Sequence, residues 1–131
     1  MKLRVEFFEN QINQAVEAGI YSIYLEKEGR SRLLYIGEST CVIERCSQHL
    51  GKVSREPIYL GLTSALLDDS SLALRFELYE TIAEESLRKN KEKELVKSKQ
   101  PLLQRGISDR GVSDEDKQAR VRQFLTGDEN L

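Results

Sequence analysis

The sequence predicts an α+β fold in which a small three-stranded, largely antiparallel sheet is flanked by helices. Three observations carry this prediction. Residues 20–25 and 33–37 are rich in β-branched and aromatic side chains, and the polar stretch between them contains Gly29, which is typical of a hairpin. Residues 72–79 alternate between large apolar and other side chains, the period of a half-buried strand. Most of the remaining chain has apolar residues at helical spacing.

Four segments outside these strands are expected to be helical. The first is followed by Gly19, the second by Gly51 and the third by Pro101, all residues that commonly end helices. The last begins after Ser113, a good N-cap residue, and stops at Gly127. The expected helices cover residues 7–18, 41–50, 81–99 and 114–126, and residues 52–71 are expected to be irregular with one short helix.

The chain has the size of one compact domain. Its 131 residues leave little room for a second core, so we expect a single domain over residues 1–131. Hydrophobic residues at 39% and charged residues at 32% are typical of a soluble globular protein. Because no apolar run approaches the roughly 20 residues of a spanning helix, and the N-terminus lacks the apolar stretch of a signal peptide, we expect a cytoplasmic protein without a membrane partner.

Two cysteines, Cys41 and Cys46, lie five positions apart in a predicted helix. This spacing matches neither a metal-binding CxxC pair nor an easily formed disulfide. The chain has one histidine, so no second histidine is available to activate either thiol. We expect both cysteines to be free thiols that contribute to packing.

Positive charge is concentrated in one stretch of an otherwise slightly acidic chain. The formal net charge is −2, which by itself argues against a general nucleic-acid binder. Residues 86–105, however, hold 7 basic and 2 acidic side chains, whereas residues 1–85 hold 9 and 14. A charge run of this kind is either a solvated helix face or a phosphate-contacting face, and both interpretations stay open.

Two tripeptides frame the predicted hairpin, Gly19-Ile20-Tyr21 at its start and Tyr35-Ile36-Gly37 at its end. Arg45 lies ten residues after Tyr35, and His49 lies four residues after Arg45, so both project from the same face of the predicted helix. Taken singly, Tyr21 and Tyr35 are more often half-buried aromatic residues of a strand than catalytic residues. Their ordered combination is far less easily explained by chance.

A second group of residues lies on the long helix predicted over residues 81–99. Glu92 begins the run Glu-Lys-Glu-Leu-Val-Lys, and Pro101 and Gln104 follow it. Together with the two tripeptides, this order resembles the GIY-YIG nuclease family. The resemblance spans residues 19–104, which would form the nuclease core, and it leaves residues 1–18 as a leading helix and residues 105–131 as a C-terminal extension with an amphipathic helix.

The resemblance implies an endonuclease that hydrolyses DNA phosphodiester bonds with Tyr21, Tyr35, Arg45, His49 and Glu92 gathered around one phosphate. Tyr21 would be the general base or would hold the attacking water, provided that a metal, Arg45 or His49 lowers its pKa. Arg45 would stabilise negative charge in the transition state. His49 would accept a proton from Tyr21 or bind the phosphate. Tyr35 would hydrogen-bond the phosphate or the water, with Gly37 as a structural residue.

The resemblance also implies one divalent ion, Mg²⁺ or Mn²⁺, held by Glu92. A single carboxylate can suffice because Mg²⁺ keeps several waters and takes phosphate oxygens from the substrate. Glu94 lies two residues away and competes for this role, although the two side chains should lie on different helix faces. The neighbouring basic residues expected to contact nucleic acid are Arg88, Lys89, Lys91 and Lys93.

Two departures from the family pattern favour a second interpretation. Glu38 follows Gly37, where relatives often have a small or basic residue, and Gln104 replaces the usual Asn. The alternative is a non-catalytic nucleic-acid- or protein-binding module that keeps the fold. The substrate also stays open between duplex DNA, branched or flap DNA and RNA. Since the chain shows no room for a separate targeting domain, we expect a nuclease that is weakly specific, forms a homodimer or is directed by a targeting partner protein. The low net positive charge favours the last two.

Overall fold

A four-stranded mixed sheet organises the chain. The computed structural model describes residues 1–105 and 112–127. Its strands are β1 (Arg4–Phe7), β2 (Gly19–Lys27), β3 (Arg30–Ser39) and β4 (Leu72–Thr81), in the spatial order β1-β4-β2-β3. β2 is antiparallel to both β3 and β4, but β1 runs parallel to β4. The chain is α+β, and the prediction of a three-stranded, largely antiparallel sheet was wrong.

The fourth strand lies where the sequence predicted the start of a leading helix. Phe7 pairs with Phe76 of β4 and packs against its ring, with 5.3 Å between the ring centroids. Phe8 is fully buried and has a φ of 51°, which ends the strand, and its N–H donates to the carbonyl of Phe76. Contacts with a strand almost seventy positions away thus outweigh the local helical spacing, and only α1 (Ile12–Ala15) is helical there.

The predicted hairpin is confirmed, with longer strands than expected. The turn between β2 and β3 consists of Glu28 and Gly29, whose φ angles are 50° and 80°. Two left-handed residues in a two-residue loop match the twist of the flanking strands. The polar residues predicted to form a wider loop therefore belong to the strands themselves.

The helices pack on the two faces of the sheet or beside them. α2 (Val42–Arg55) continues through Gly51, where the sequence predicted its end. A 3-10 helix (Pro57–Leu60) and α3 (Ser64–Leu67) lie in the segment predicted to be irregular, and α4 spans Glu85–Lys99. α5 (Asp114–Thr126) has the predicted caps, since the Ser113 side chain accepts a hydrogen bond from the Asp116 N–H and Gly127 has a φ of 84°.

The sheet separates two hydrophobic clusters. The larger one joins Tyr21, Leu74 and Phe76 of the sheet to Val42 and Cys46 of α2. The smaller one joins Ile20 of β2 and Ile36 of β3 to Leu95 and Val96 of α4. Because side chains alternate along a strand, Tyr21 and Tyr35 face α2, whereas Ile36 and Glu38 face α4. This division determines where each candidate residue lies.

Two further observations concern the whole described chain. Cys41 and Cys46 are free thiols, as predicted, and Cys46 lies on the fully buried side of α2. Across residues 1–105 and 112–127, none of the helices combines the length and the apolar character needed to cross a membrane.

Candidate functional site

Tyr21 and Gly37 lie directly opposite each other on β2 and β3. The ring of Tyr21 lies across Gly37 so closely that a Cβ atom at Gly37 would collide with the phenol oxygen and the ring carbons. The absence of a side chain at Gly37 therefore lets the Tyr21 ring lie against β3. Tyr21 is 1% exposed in this position.

A chain of two hydrogen bonds runs from Tyr21 through His49 to Tyr59. The Tyr21 hydroxyl lies 2.7 Å from Nε2 of His49, and the Tyr59 hydroxyl lies 2.7 Å from Nδ1 of the same ring. His49 is buried on α2, and Tyr59 lies on the 3-10 helix. A neutral imidazole donates through one nitrogen and accepts through the other. His49 can therefore donate to one phenol while it accepts from the other, which is the arrangement needed to pass a proton along the chain.

Tyr35 and Arg45 complete this cluster toward the surface. The Tyr35 ring stacks with Tyr21 at 6.3 Å between centroids and approaches His49 edge-on at 5.2 Å. Arg45 lies one helical turn before His49, with an exposed side chain that hydrogen-bonds Gln48. Its guanidinium also interacts with the phenol of Tyr21. The groups of the cluster that reach solvent are thus the partly exposed phenols of Tyr35 and Tyr59 and the exposed cation of Arg45.

The ionisation of Tyr21 differs from what a general base needs. Burial raises the pKa of Tyr21 above its ordinary value, and the phenol of Tyr35 and the thiol of Cys46 raise it further. Arg45 lowers this pKa but does not offset the effect of burial. Tyr21 is therefore a neutral hydroxyl near pH 7, which can donate a hydrogen bond and can accept a proton only as it passes its own to His49.

Glu92 lies on α4, beside Glu38 of β3. Burial raises the pKa of Glu92, and the carboxylate of Glu38 raises it further, to about 7. The Glu38 backbone N–H and the ammonium groups of Lys89 and Lys93 act in the opposite direction. Glu38 is held by Arg88, whose Nε lies 2.6 Å from Oε2 of Glu38. Two carboxylates therefore lie close together at a partly buried position.

The structure brings four of the five predicted residues together, namely Tyr21, Tyr35, Arg45 and His49. Glu92 instead lies on the helix that covers the other face of the sheet. The two sites nevertheless lie close along the sheet. Tyr21, from the first group, pairs with Gly37, and Glu38, beside Glu92, belongs to the next pair of the β2–β3 ladder, opposite Ile20. The gathering of all five around one phosphate stays a prediction.

The donor set around Glu92 suits a hydrated Mg²⁺ or Mn²⁺ ion. The part of the chain that the structure describes contains no group of three or more His, Cys, Asp or Glu side chains arranged to hold a metal. Glu92 and Glu38 nevertheless provide two hard oxygen donors whose mutual repulsion a divalent cation would relieve. Such an ion would complete its coordination with waters and substrate oxygens.

The four basic residues predicted to contact nucleic acid lie in different environments. Arg88 is 3% exposed and donates to the carbonyls of Ile82 and Ala83 as well as to Glu38. Lys89 is exposed and pairs with Glu85 at 2.9 Å. Lys91 and Lys93 also lie on the outer part of α4, with Lys91 3.9 Å from Glu94. The internal bonds of Arg88 hold α4 against the end of β3, and the lysines are better placed for an external phosphate.

Sequence reasoning missed Tyr59 and the partners of two other residues. Tyr59 lies ten residues after His49 in a segment without a clear pattern, and its only signal was an aromatic side chain that had to find cover. The pairing of Glu38 with Arg88 was not foreseen. The amide of Gln104 bonds both the N–H and the carbonyl of Ile36 at 2.8 Å, so Gln104 completes the outer edge of β3.

Searches against protein-family models, curated proteins and solved structures found no match to this chain. The resemblance to GIY-YIG nucleases stays a prediction based on the residues named above.

Proposed function

We propose that this protein is a divalent-metal-dependent endonuclease that hydrolyses phosphodiester bonds of DNA. The observation that carries the proposal is the convergence of Tyr21, Tyr35, Arg45 and His49 in one cluster. They come from two strands and one helix, and they are the residue types and positions that the motif singled out. A purely structural origin would not require a histidine bonded to two phenols beside an exposed arginine.

Each residue of the cluster has a role that fits its exposure. Arg45 is exposed, and its planar guanidinium suits two nonbridging phosphate oxygens, where it would stabilise the negative charge of the transition state. The half-buried hydroxyl of Tyr35 would hydrogen-bond the phosphate or the attacking water. Tyr21 would take the proton of that water while giving its own to His49, and Tyr59 would hold the imidazole in position through Nδ1.

The carboxylate of Glu92 would hold the divalent ion, with Glu38 as its neighbour. When bound, such an ion polarises the phosphoryl group and makes a bound water more acidic. Glu92 would bind the ion in its deprotonated form. Because its pKa is raised to about 7, this form becomes dominant only above neutral pH. Lys89, Lys91 and Lys93 on the same helix would contact phosphates near the ion.

The proposal leaves the substrate class within DNA open between duplex and branched or flap forms, and RNA is the third candidate. The formal net charge of −2 favours a homodimer or a targeting partner protein over a stand-alone enzyme with broad affinity for DNA. We propose that the protein acts in the cytoplasm.

Cleavage of supercoiled plasmid and of branched DNA with Mg²⁺ or Mn²⁺ tests the proposal. Glu92→Ala is compared with Glu94→Ala, because Glu94 is an exposed glutamate on the same helix. We expect cutting by the wild type, its loss in Glu92→Ala and its retention in Glu94→Ala. Arg45→Ala tests the other face of the sheet and should also abolish cutting. Equal activity of all variants would refute the proposed site.

A non-catalytic binding module is the second candidate, and two observations favour it. Burial keeps Tyr21 neutral, and Arg88 already neutralises one of the two carboxylates at the proposed metal position. This candidate predicts binding of nucleic acid without cutting in any divalent metal. Titration of labelled DNA in the presence and absence of Mn²⁺, followed by analysis of the products, separates the two candidates.

A further inference from the structure

A basic cleft lies between the outer strand β3, the C-terminal half of α4 and α5. Its volume is about 680 Å³, within the range of ligand-binding sites. Val96, Pro101 and Leu102 form its apolar part, and Gln104 lies beside them. Gln100 also lines the cleft, and the five other lining residues are cationic: Arg32, Lys93, Lys97, Arg105 and Arg120.

The positive charge of the cleft comes from separate parts of the chain. Arg32 lies on β3, Lys93 and Lys97 on α4, and Arg120 on α5. Arg105, which follows α4, completes the set. Like charges at positions i and i+4 of a helix, such as Lys93 and Lys97, oppose helix stability. A protein with a net charge of −2 thus concentrates five cations around one cleft.

The cations are only partly neutralised by the protein itself. Arg120 donates to the carbonyl of Leu102 at 2.8 Å, and Arg105 lies 3.7 Å from a carboxylate oxygen of Asp116. Among the described residues, no acidic side chain lines the cleft. The ammonium groups of Lys93 and Lys97 are exposed and can turn toward a ligand. The matching ligand carries several regularly spaced negative charges.

We propose that this cleft binds the phosphate backbone of one nucleic-acid strand and directs it along α4 toward Glu92. The direction toward Glu92 rests on the proposed nuclease function. Lys93 connects the two sites, because it lines the cleft and follows Glu92 in the helix. No aromatic side chain is present among the described residues of the cleft lining, so bases have no stacking platform there. Binding should therefore depend little on base sequence.

The test is fluorescence anisotropy of a labelled single-stranded oligonucleotide with the full chain in EDTA, which prevents cutting. The cleft variant is Lys93→Gln/Lys97→Gln, in which Gln preserves the helix. The control is Lys2→Gln/Lys99→Gln, which removes the same charge at exposed positions outside the cleft. Circular dichroism establishes that both variants are folded.

Loss of two phosphate contacts should reduce the slope of log Kd against log salt concentration by about 1.4, equivalent to about 25-fold weaker binding at about 0.1 M salt. The control variant should bind within about twofold of the wild type. Equal weakening in both variants, or no weakening in the cleft variant, would overturn the inference.

The same protein set separates failure of the inference from failure of the proposed function. Glu92→Ala should bind the oligonucleotide as the wild type does and should not cut DNA. If the wild type cuts DNA but the cleft variant binds the oligonucleotide as tightly as the wild type, the inference alone is overturned. A wild type that binds through the cleft but never cuts overturns the nuclease and the direction toward Glu92, and supports the binding site itself.

Discussion

Replacing Gly37 with Ala tests the packing on which the candidate site depends. The added methyl group would occupy space now taken by the phenol of Tyr21. The Tyr21 ring cannot easily move away, because it is 1% exposed and its hydroxyl lies 2.7 Å from Nε2 of His49. Either the ring or strand β3 must shift, and the hydrogen bond between Tyr21 and His49 is lost in the first case.

The expected cost follows from three effects. Overpacking a filled core costs about 1–3 kcal/mol. Displacing the Tyr21 hydroxyl costs about 1 kcal/mol more for the hydrogen bond with His49. Replacing Gly with Ala also restricts the unfolded chain, which returns about 0.4–1 kcal/mol. We therefore expect Gly37→Ala to lower the free energy of unfolding by about 1–3.5 kcal/mol.

Urea denaturation measures this change, and Gly51→Ala is the matched control. Gly51 lies inside α2, where an added Cβ would only touch the end of the Arg55 side chain at 3.5 Å. The same substitution should there raise the free energy of unfolding by about 0.5–1 kcal/mol, since Ala favours helix more than Gly does. One chemical change is thus expected to act with opposite sign at two positions.

A double-mutant cycle assigns the effect to Tyr21. In a Tyr21→Leu background the aromatic ring is absent, so Gly37→Ala should cost little, and the coupling energy should be about 1–3 kcal/mol. If Gly37→Ala is neutral in both backgrounds, the Tyr21 ring does not lie across Gly37, and the hydrogen-bond chain through His49 loses its structural basis. The same result would remove the main support for the proposed active site.

Three other predictions concern the carboxylate pair and the histidine. The pKa of Glu92 is raised to about 7, so between about pH 4.5 and pH 7 the folded state holds a proton that the unfolded state has released. The free energy of unfolding should therefore fall by roughly 1–2 kcal/mol across this range, and Glu92→Gln should flatten the decrease in urea titrations. Protons compete with metal at Glu92, so Mn²⁺ affinity measured by calorimetry should rise about tenfold from about pH 6 to about pH 8, and a pH-independent affinity would exclude Glu92 as a ligand. Tyr59→Phe removes the bond to Nδ1 of buried His49 and should cost about 1–2 kcal/mol in thermal unfolding, whereas an unchanged Tm would mean that this bond contributes nothing.

The position of the candidate residues on two faces of one sheet has a consequence for mechanism. Arg45 lies with the tyrosines on the α2 face, and Glu92 lies beside Glu38 on the α4 face. Tyr21 and Glu38, the sheet residues of the two groups, belong to adjacent pairs of the β2–β3 ladder. A substrate strand that contacts both must pass the outer edge of β3. The basic cleft lies at this edge, which is consistent with a strand approaching along α4.

Several elements were determined by the sequence itself because their signals are local. The hairpin follows from two β-rich runs around Glu28 and Gly29, and β4 follows from its alternation. The caps of α5 follow from Ser113 and Gly127. In each case the residues that form the element lie within a few positions of one another. The grouping of Arg45 with His49 is of the same kind, since they lie one helical turn apart.

Tertiary structure decided the rest, because the deciding contacts join residues far apart in the chain. β1 became a strand through Phe7 and Phe76, in the segment that the sequence assigned to a leading helix. Tyr59 joined the site only because the 3-10 helix packs beside α2. Glu92 reached Glu38 only because α4 covers the face opposite Tyr21. Spacing along the chain indicates which residues belong to the same helix or strand. The face of the sheet that a helix covers depends instead on where the whole apolar side of that helix is buried.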